Sequence, residues 1–129
     1  MLKRFCVGLA VAGAALALTA APANAAVKHS FTTYPLTGAA GSGWWTKTNG
    51  KVTVRLCVKD TTKGKRGAAV DLQTTGKIEP VDAYLAVSVH GYGKVSCHTF
   101  TIHGSAKHSS VRAWTWPEPV KPGKWKKLY

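Results

Sequence analysis

Apolar and polar residues alternate along most of the chain beyond residue 43. In the segment 51–59 every second position is apolar, namely Val52, Val54, Leu56 and Val58. Because successive side chains of a strand point to opposite faces of its sheet, this spacing predicts a strand with one buried face and one wetter face. The same alternation recurs in four further segments, 68–74, 84–90, 95–103 and 111–116.

Turn signals separate these segments and indicate the fold class. Asn49-Gly50 is the strongest short hairpin signal, and polar or glycine-containing stretches follow at 60–67, 75–77, 91–94 and 104–109. Six to seven short antiparallel strands joined by such turns are typical of a β-sandwich or a small barrel. We therefore predict one all-β domain over residues 44–116, with a flexible N-terminal arm at 26–43 and a basic tail rich in Pro, Lys and Trp at 117–129.

The first 25 residues have the layout of a secretory signal peptide. Lys3 and Arg4 precede an uncharged apolar run over residues 5–18, and Ala23-Asn24-Ala25 supplies the small residues that a signal peptidase accepts. The alternative is a retained membrane anchor, although the run is shorter than the ~20 residues that a spanning helix needs. We expect cleavage after Ala25 and a secreted, extracellular protein, with retention on the cell wall left open.

Removal of this segment changes the cysteine count. Cys6 is lost, and the three cysteines of the chain become a pair, Cys57 and Cys97. An even pair in an oxidising compartment favours a disulfide over two independent thiols, and the chain-entropy model assigns such a bond ~4 kcal/mol of stabilisation. Cys57 lies on the face opposite the valines of its strand. The bond therefore either ties the sheet on its wetter side or reaches a second layer.

Basic residues far outnumber acidic ones. Of the 18 Lys and Arg residues only Lys3 and Arg4 lie in the signal segment, which leaves 16 basic residues against 5 acidic ones and a net charge of +11. The densest runs are one turn and the tail, and their candidate contact residues are Lys63, Lys65, Arg66, Lys124, Trp125, Lys126 and Lys127. Such a surface attracts polyanions through a long-range, salt-sensitive field. The alternative is charge that serves solubility alone.

Two tryptophans offer a second kind of contact. Trp114 and Trp116 lie two positions apart, on the same strand face as Arg112. Indole rings on one face can stack on sugars or bases, since any flat ring presents a π-face. The alternative is that they fill the core of a small β domain. We keep both as candidate stacking residues.

No catalytic constellation is recognisable in the sequence. A Gly-x-Ser-x-Gly turn is lacking and both mature cysteines are expected to be bonded. The neighbouring carboxylates Glu79 and Asp82 flank Pro80 in a predicted loop, so a glycosidase pair is not indicated. We predict no catalytic residues. One alternative is a small ribonuclease working by general acid–base catalysis, with Glu79, His90, His98, Arg55 and Arg112. Another is a protease inhibitor that presents the loop 60–67.

The histidines raise the question of a metal site. Four of them lie within 19 residues, at His90, His98, His103 and His108. Imidazole is a common zinc or copper ligand, but His98 and His103 fall on opposite faces of one predicted strand. Neither Cys-x-x-Cys nor His-Glu-x-x-His accompanies them. We predict no metal site and no cofactor.

Two resemblances to known proteins bear on fold and function. The run from Gly43-Trp44-Trp45 to Asp60, followed by Gly67-Ala68-Ala69-Val70, Gly91-x-Gly93 and Cys97, resembles small secreted, disulfide-tied β proteins of high-GC Gram-positive bacteria. The resemblance covers residues 43–116, and most such proteins have no known function. This resemblance implies the fold and the compartment.

The second resemblance is local. His90-Gly91-Tyr92-Gly93, followed by His103-Gly104-Ser105-x-Lys107-His108-Ser109, is similar to stretches of the lactococcin-972-type bacteriocins. Those are exported β-sandwich proteins that act on cell-envelope assembly in competitors. The chain differs from them in its cysteine pair and in the long β region before the motif. The resemblance implies an antimicrobial protein as an alternative function.

The partner class follows from compartment and charge together. Outside a bacterial cell the anions that meet a basic protein are wall teichoic acid, anionic polysaccharide and the membrane surface. Nucleic acid would bind without sequence preference through the same field. We predict a monomeric, non-enzymatic protein that binds anionic polymers of the envelope or the extracellular space.

Overall fold

The computed structural model describes residues 26–79, 84–117 and 120–129. The predicted signal peptide at 1–25 and the carboxylates Asp82 and Glu118 lie outside these ranges. The described residues form eight strands, β1 (His29–Thr32), β2 (Ala39–Thr48), β3 (Lys51–Asp60), β4 (Gly67–Glu79), β5 (Tyr84–His90), β6 (Val95–Trp116), β7 (Lys121–Pro122) and β8 (Lys126–Lys127). They contain no helix, which confirms the all-β prediction. Accordingly, no membrane-spanning helix is found among them.

β6 is the longest strand and runs through both layers of the fold. The strand order is β1-β2-β3-β6-β4-β5, with β7 and β8 also paired to β6. Residues 95–103 of β6 pair with β3, and residues 103–116 pair with β4. All named pairings are antiparallel. β3 packs against β4 and β5 without sharing hydrogen bonds with them, so the sheet folds over into two facing layers.

The core lies between these layers. The four apolar positions of β3 are buried, at exposures of 0–1%, as the alternation predicts. They meet apolar residues from the other layer, among them Val70, Leu72, Val87, Val111 and Ala113. At ~25 cal/mol per Å² of apolar surface removed from water, contacts of this kind supply the main favourable term in folding.

Two glycines allow β6 to change layers. The β4–β6 register shifts between Thr75 and Gly76, which marks a β-bulge, and bulges bend the strands that carry them. Gly76 and Gly104 have φ angles of 135° and 105°, in the region that favours glycine. A Cβ on either would lie 2.3 Å from a carbonyl oxygen of the opposite strand. The breaks predicted at 75–77 and 104–109 are therefore bends within continuous strands.

The hairpin at Asn49-Gly50 forms as predicted. Thr48 pairs with Lys51 across it, and Gly50 has a φ of 77°. β2 begins earlier than expected, because residues 39–43 pair with β3 instead of forming a flexible connector. Their small side chains permit close packing: a Cβ on Gly43 would collide with the Arg55 carbonyl and approach the Phe31 ring. The predicted arm thus contributes β1 and half of β2 to the sheet.

The basic tail is also part of the fold. β7 and β8 extend along the free edge of β6, where Thr115 pairs with Lys121 and Val111 with Lys126. Tyr129 then closes the end of this segment: its ring lies 4.6 Å from that of Trp45, and its hydroxyl accepts a 2.7 Å hydrogen bond from Ser109. The domain therefore extends past residue 116, where the sequence pattern placed its end.

The disulfide joins Cys57 to Cys97, as predicted. The two residues face each other directly in the β3–β6 ladder, on the side of the sheet away from the core. This settles the alternative that the sequence left open, because the bond ties adjacent strands on their wetter side. It fastens the first half of β6 to β3 before β6 crosses to the other layer.

Replacing both cysteines, as Cys57→Ala with Cys97→Ala, should lower the free energy of unfolding by about 2–4 kcal/mol. The reason is that the unfolded chain regains the freedom that the cross-link removes. Urea unfolding followed by tryptophan fluorescence measures the change, and far-UV circular dichroism should still report β structure before the transition. A loss below about 0.5 kcal/mol would show that the bond does not stabilise the fold.

Candidate functional site

A buried carboxylate organises the outer face of the second layer, which is the surface of β4, β5 and β6 turned away from the core. Asp71 on β4 is 1% exposed. Its Oδ1 accepts a 2.7 Å hydrogen bond from Trp114 Nε1, and its Oδ2 accepts a 3.1 Å bond from Arg112 Nε. The hydroxyl of Tyr84, on β5, donates a hydrogen bond to the same Oδ2. One carboxylate thus fixes side chains from both strands that flank β4.

The two candidate stacking residues lie on this outer face and are not in the core. Trp114 pairs with Ala69 and Trp116 with Gly67 across the β4–β6 ladder, and both indoles are partly exposed. The Trp116 ring covers Gly67 so closely that a Cβ there would lie 2.3 Å from it. The His90 ring flanks Trp116 at 5.7 Å. The small residues Gly67 and Ala69 of β4 therefore leave room for the two indoles on this face of the sheet.

Arg112 links this network to the tail. Its guanidinium lies 4.5 Å from the centre of the Trp125 ring, within the range of a cation–π contact. Burial works to lower the pKa of Arg112, but its hydrogen bonds to Tyr84 and Asp71 outweigh that effect and raise it. The group therefore stays charged while it holds both the carboxylate and the indole.

Tyr84 has a raised pKa. Desolvation is the largest cause, followed by its hydrogen bond to Asp71, while Arg112 acts in the opposite direction. Tyr84 as a whole is 53% exposed, and its hydroxyl is the part that lies against the buried carboxylate of Asp71. Ionisation would place a second negative charge beside Asp71, and the neutral phenol is favoured in the folded state.

Acidic groups are withdrawn from the surface of the described residues. Asp60 is 0% exposed; its carboxylate accepts hydrogen bonds from the Thr62 and Gly91 amides, at 3.1 and 2.9 Å. The Asp60 carboxylate thereby joins the β3–β4 loop to the β5–β6 turn. Asp71 is hydrogen-bonded as described above, and Glu79 is the one exposed acidic side chain in the described ranges. The surface lysines of this part of the chain therefore meet little opposing charge.

The predicted polyanion contacts are Lys63, Lys65, Arg66, Lys124, Trp125, Lys126 and Lys127. Together with Lys121 of β7, they form what we call the basic edge. Arg66 donates a 3.2 Å hydrogen bond to Thr115, the residue that pairs with Lys121, so the loop lies at the β7 end. Lys127 pairs with Ser110, five positions further along β6, a distance of ~16 Å. The two runs form a line rather than one compact patch.

Several lysines are held over aromatic rings. Lys126 lies 5.6 Å from the Tyr34 ring and donates a 2.9 Å hydrogen bond to the Thr32 carbonyl. Lys63 lies 5.4 Å from the Tyr92 ring. The sequence did not single out Tyr34, Tyr84 or Asp71, since their partners are 13 to 92 positions away in the chain. The alternation of β4 was the available signal: Asp71 lies between the buried residues Val70 and Leu72, which places its carboxylate on the other face of the strand.

A cleft separates the tail from the loop that follows β1. It has a volume of about 660 Å³ and is lined by Tyr34, Pro35, Leu36, Pro122, Gly123, Lys124 and Trp125. A second groove of about 780 Å³ shares the residues 34–36 and continues over β2 and β3, past Ser42, Lys59 and Val95. The larger groove contains none of the predicted contact residues.

The groups considered for a ribonuclease are dispersed. Glu79 pairs with His103 at one end of β4, whereas Gly67 at the other end pairs with His90. Twelve strand positions, or ~40 Å of extended chain, lie between them. His98 and Arg55 belong to the other layer, where Arg55 bonds to Thr99. Among the described residues, no three His, Cys, Asp or Glu side chains are grouped in a way that could hold a metal ion.

Comparison with protein-family models, with curated proteins and with solved structures finds no significant match to this chain.

Replacing Asp71 by Ala should lower the free energy of unfolding by about 2–3 kcal/mol, because a buried partner of three donors is lost and Arg112 can recover only part of its solvation. Chemical denaturation measures the loss. Glu79→Ala, which removes an exposed carboxylate of the same strand, should change stability by no more than about 0.5 kcal/mol. Equal effects of the two substitutions would contradict the role given to Asp71.

The raised pKa of Tyr84 predicts a dependence of stability on alkaline pH. Folding favours the neutral phenol, so its contribution is complete below the unfolded pKa of about 10 and is lost as pH rises through the higher folded value. Above about pH 10, the free energy of unfolding should fall less steeply with pH in Tyr84→Phe than in the parent chain. Parallel curves for the two proteins would refute the assignment.

Proposed function

We propose that this chain is a secreted, basic, non-enzymatic β protein that binds anionic polymers of the cell envelope or the extracellular space. The observation that carries the proposal is the inward placement of negative charge. Two of the three acidic side chains in the described ranges are buried at 0–1% exposure and bonded within the fold, while all 16 basic residues beyond residue 25 lie in these ranges. A field of one sign favours long-range capture of a polyanion.

The shape of the basic edge supports a linear partner. The lysines of the tail lie along the second half of β6, and those of the loop 61–66 lie at one end of this line. A flexible chain of repeated charges, such as teichoic acid or an acidic polysaccharide, can follow such a line, and each contact adds to the attraction. The disulfide between adjacent strands is consistent with an oxidising compartment.

Several residues in the stretches that resemble the bacteriocins have roles in the fold, which account for them without an antimicrobial activity. Gly91 and Gly93 form the turn that bonds to Asp60, and Gly104 lies at the bend of β6. Ser109 bonds to Thr74 and Tyr129. Each has a packing role, so we do not extend the proposal to growth inhibition.

Neutralising the exposed tail lysines should weaken binding to purified Gram-positive cell walls. In Lys124→Gln with Lys127→Gln, the apparent affinity at low salt should fall by about fivefold, since two charges leave the basic edge. Binding by the parent chain should fall by at least about tenfold between 50 and 500 mM NaCl, because added salt shortens the Debye length. Sedimentation of walls with the mature protein measures both effects.

The matched control is Lys51→Gln with Lys107→Gln, which removes the same charge from exposed positions on other parts of the surface. It should weaken binding by no more than about twofold. If binding is absent at low salt, or does not change with salt, the electrostatic proposal is wrong. If both double variants lose affinity equally, the basic edge is not the contact surface.

A further inference from the structure

The cleft between the tail and the β1–β2 loop has aromatic side chains on both walls. Tyr34 on one wall is 47% exposed, and Trp125 on the other is 36% exposed. Most large apolar side chains of the domain are buried or packed against the core. Two rings left partly open to solvent across one cavity are the arrangement that stacks on the flat faces of a sugar.

Both walls are fixed by the rest of the fold. One face of Trp125 rests on Arg112 at 4.5 Å, and Arg112 is itself held by the buried Asp71. The loop that carries Tyr34 is tied to β2, since the Thr33 amide donates to the Gly41 carbonyl at 2.9 Å and Gly41 donates back to the Thr33 hydroxyl. A ligand therefore meets a cleft that is already formed, which lowers the entropic cost of binding.

The charges around the cleft are positive. Lys124 lines it, and Lys126 lies 5.6 Å from the Tyr34 ring. No carboxylate occurs among the described residues that line the cavity. A ligand with a flat apolar face and a negative group would satisfy both the rings and the lysines, whereas a neutral sugar or a simple polyphosphate would satisfy only one of them.

We infer that this cleft binds one saccharide unit that carries a carboxylate or a phosphate, stacked between Tyr34 and Trp125 with its anionic group towards Lys124 and Lys126. The volume of about 660 Å³ lies in the range of small-molecule sites, ~300–1,000 Å³. The inference rests on the proposed function and deepens it. It assigns the polymer class as an anionic glycan and separates a stacking site from the field of the basic edge.

The second groove explains how a polymer could continue past this unit. It shares the residues 34–36 with the cleft and passes Lys59 on its way across β2 and β3. A chain seated between the aromatic walls can therefore leave the cleft over this loop. The anionic saccharide that fits the cleft is accordingly an internal unit of a glycan as readily as a terminal one.

The test compares four probes by isothermal titration calorimetry at fixed low salt. They are a galacturonate tetramer, a phosphorylated dextran oligomer, neutral maltotetraose and polyphosphate. Trp125→Ala should weaken the better-bound charged saccharide by about tenfold, which is the loss of one stacking ring. The same substitution should leave polyphosphate affinity within about twofold, because it removes no charge. Comparison of the first two probes identifies which anionic group the cleft takes.

Two further variants guard against an effect on folding. Tyr34→Ala removes the opposite wall and should give the same selective loss, while Trp125→Phe retains a flat ring and should recover most of the affinity. Tyr92→Ala is the matched control, since Tyr92 is also exposed and also lies beneath a lysine but is not among the cleft residues. Thermal melting verifies that each variant is folded.

The outcomes separate this inference from the proposed function. If both charged saccharides and polyphosphate bind the parent chain but lose affinity equally, or not at all, in Trp125→Ala, the cleft assignment is wrong and polyanion binding stands. If polyphosphate and cell walls do not bind while a charged saccharide does so through Trp125, the cleft stands and the polyanion proposal is wrong. Equal affinity for maltotetraose would overturn the anionic part of the inference.

Discussion

The continuity of β6 through both layers is the constraint on which the rest of the structure depends. Its first half is bonded to β3 and carries Cys97, and its second half supplies Arg112, Trp114 and Trp116 to the outer face of the other layer. Because one strand belongs to both layers, a change in its register would displace the core and the outer face together. Gly76 and Gly104 allow the necessary bend, and the disulfide fastens the half that precedes it.

The same strand also determines where the tail lies. The second half of β6 would otherwise expose unpaired amides and carbonyls along its edge, which is a hazard for aggregation. β7, β8 and the bond from the Leu128 amide to the Ser109 carbonyl cover this edge. A tail held by its backbone is free to turn lysine and tryptophan side chains outward. One segment thus protects the edge of β6 and carries the proposed basic binding surface.

Alternation predicted the parts of the fold in which one face is apolar and the other polar. β3, the Asn49-Gly50 hairpin and the Cys57–Cys97 bond follow from such local patterns. The strand residues 39–43 and the continuity of β6 through Gly104 were missed, because glycine and alanine read as flexible in sequence although here they permit close packing. The tail was missed because its partner strand, not its own sequence, makes it extended.

The candidate site shows the same division. The charges of the basic edge could be read from composition, since sequence clusters of lysine remain clusters on a strand or a turn. The cleft could not, because Tyr34 and Trp125 are 91 positions apart and are brought together only when the arm and the tail pack at the same edge. The role of Asp71 could not be predicted for a related reason. Its hydrogen-bond partners Tyr84, Arg112 and Trp114 lie on the neighbouring strands, and the sequence does not show which strands those are.

Charge and stacking have complementary roles in the two proposed binding features, which lie close to each other. A field of lysines attracts any polyanion but distinguishes poorly between them, since it depends on charge density rather than on shape. A rigid aromatic cleft distinguishes by shape but acts only at short range. Arg112 joins the two, because the ion pair with Asp71 that offsets its positive charge also holds its guanidinium against Trp125. The buried carboxylate of Asp71 therefore reduces the contribution of Arg112 to the positive field and holds it where it positions Trp125, a residue of the proposed saccharide cleft.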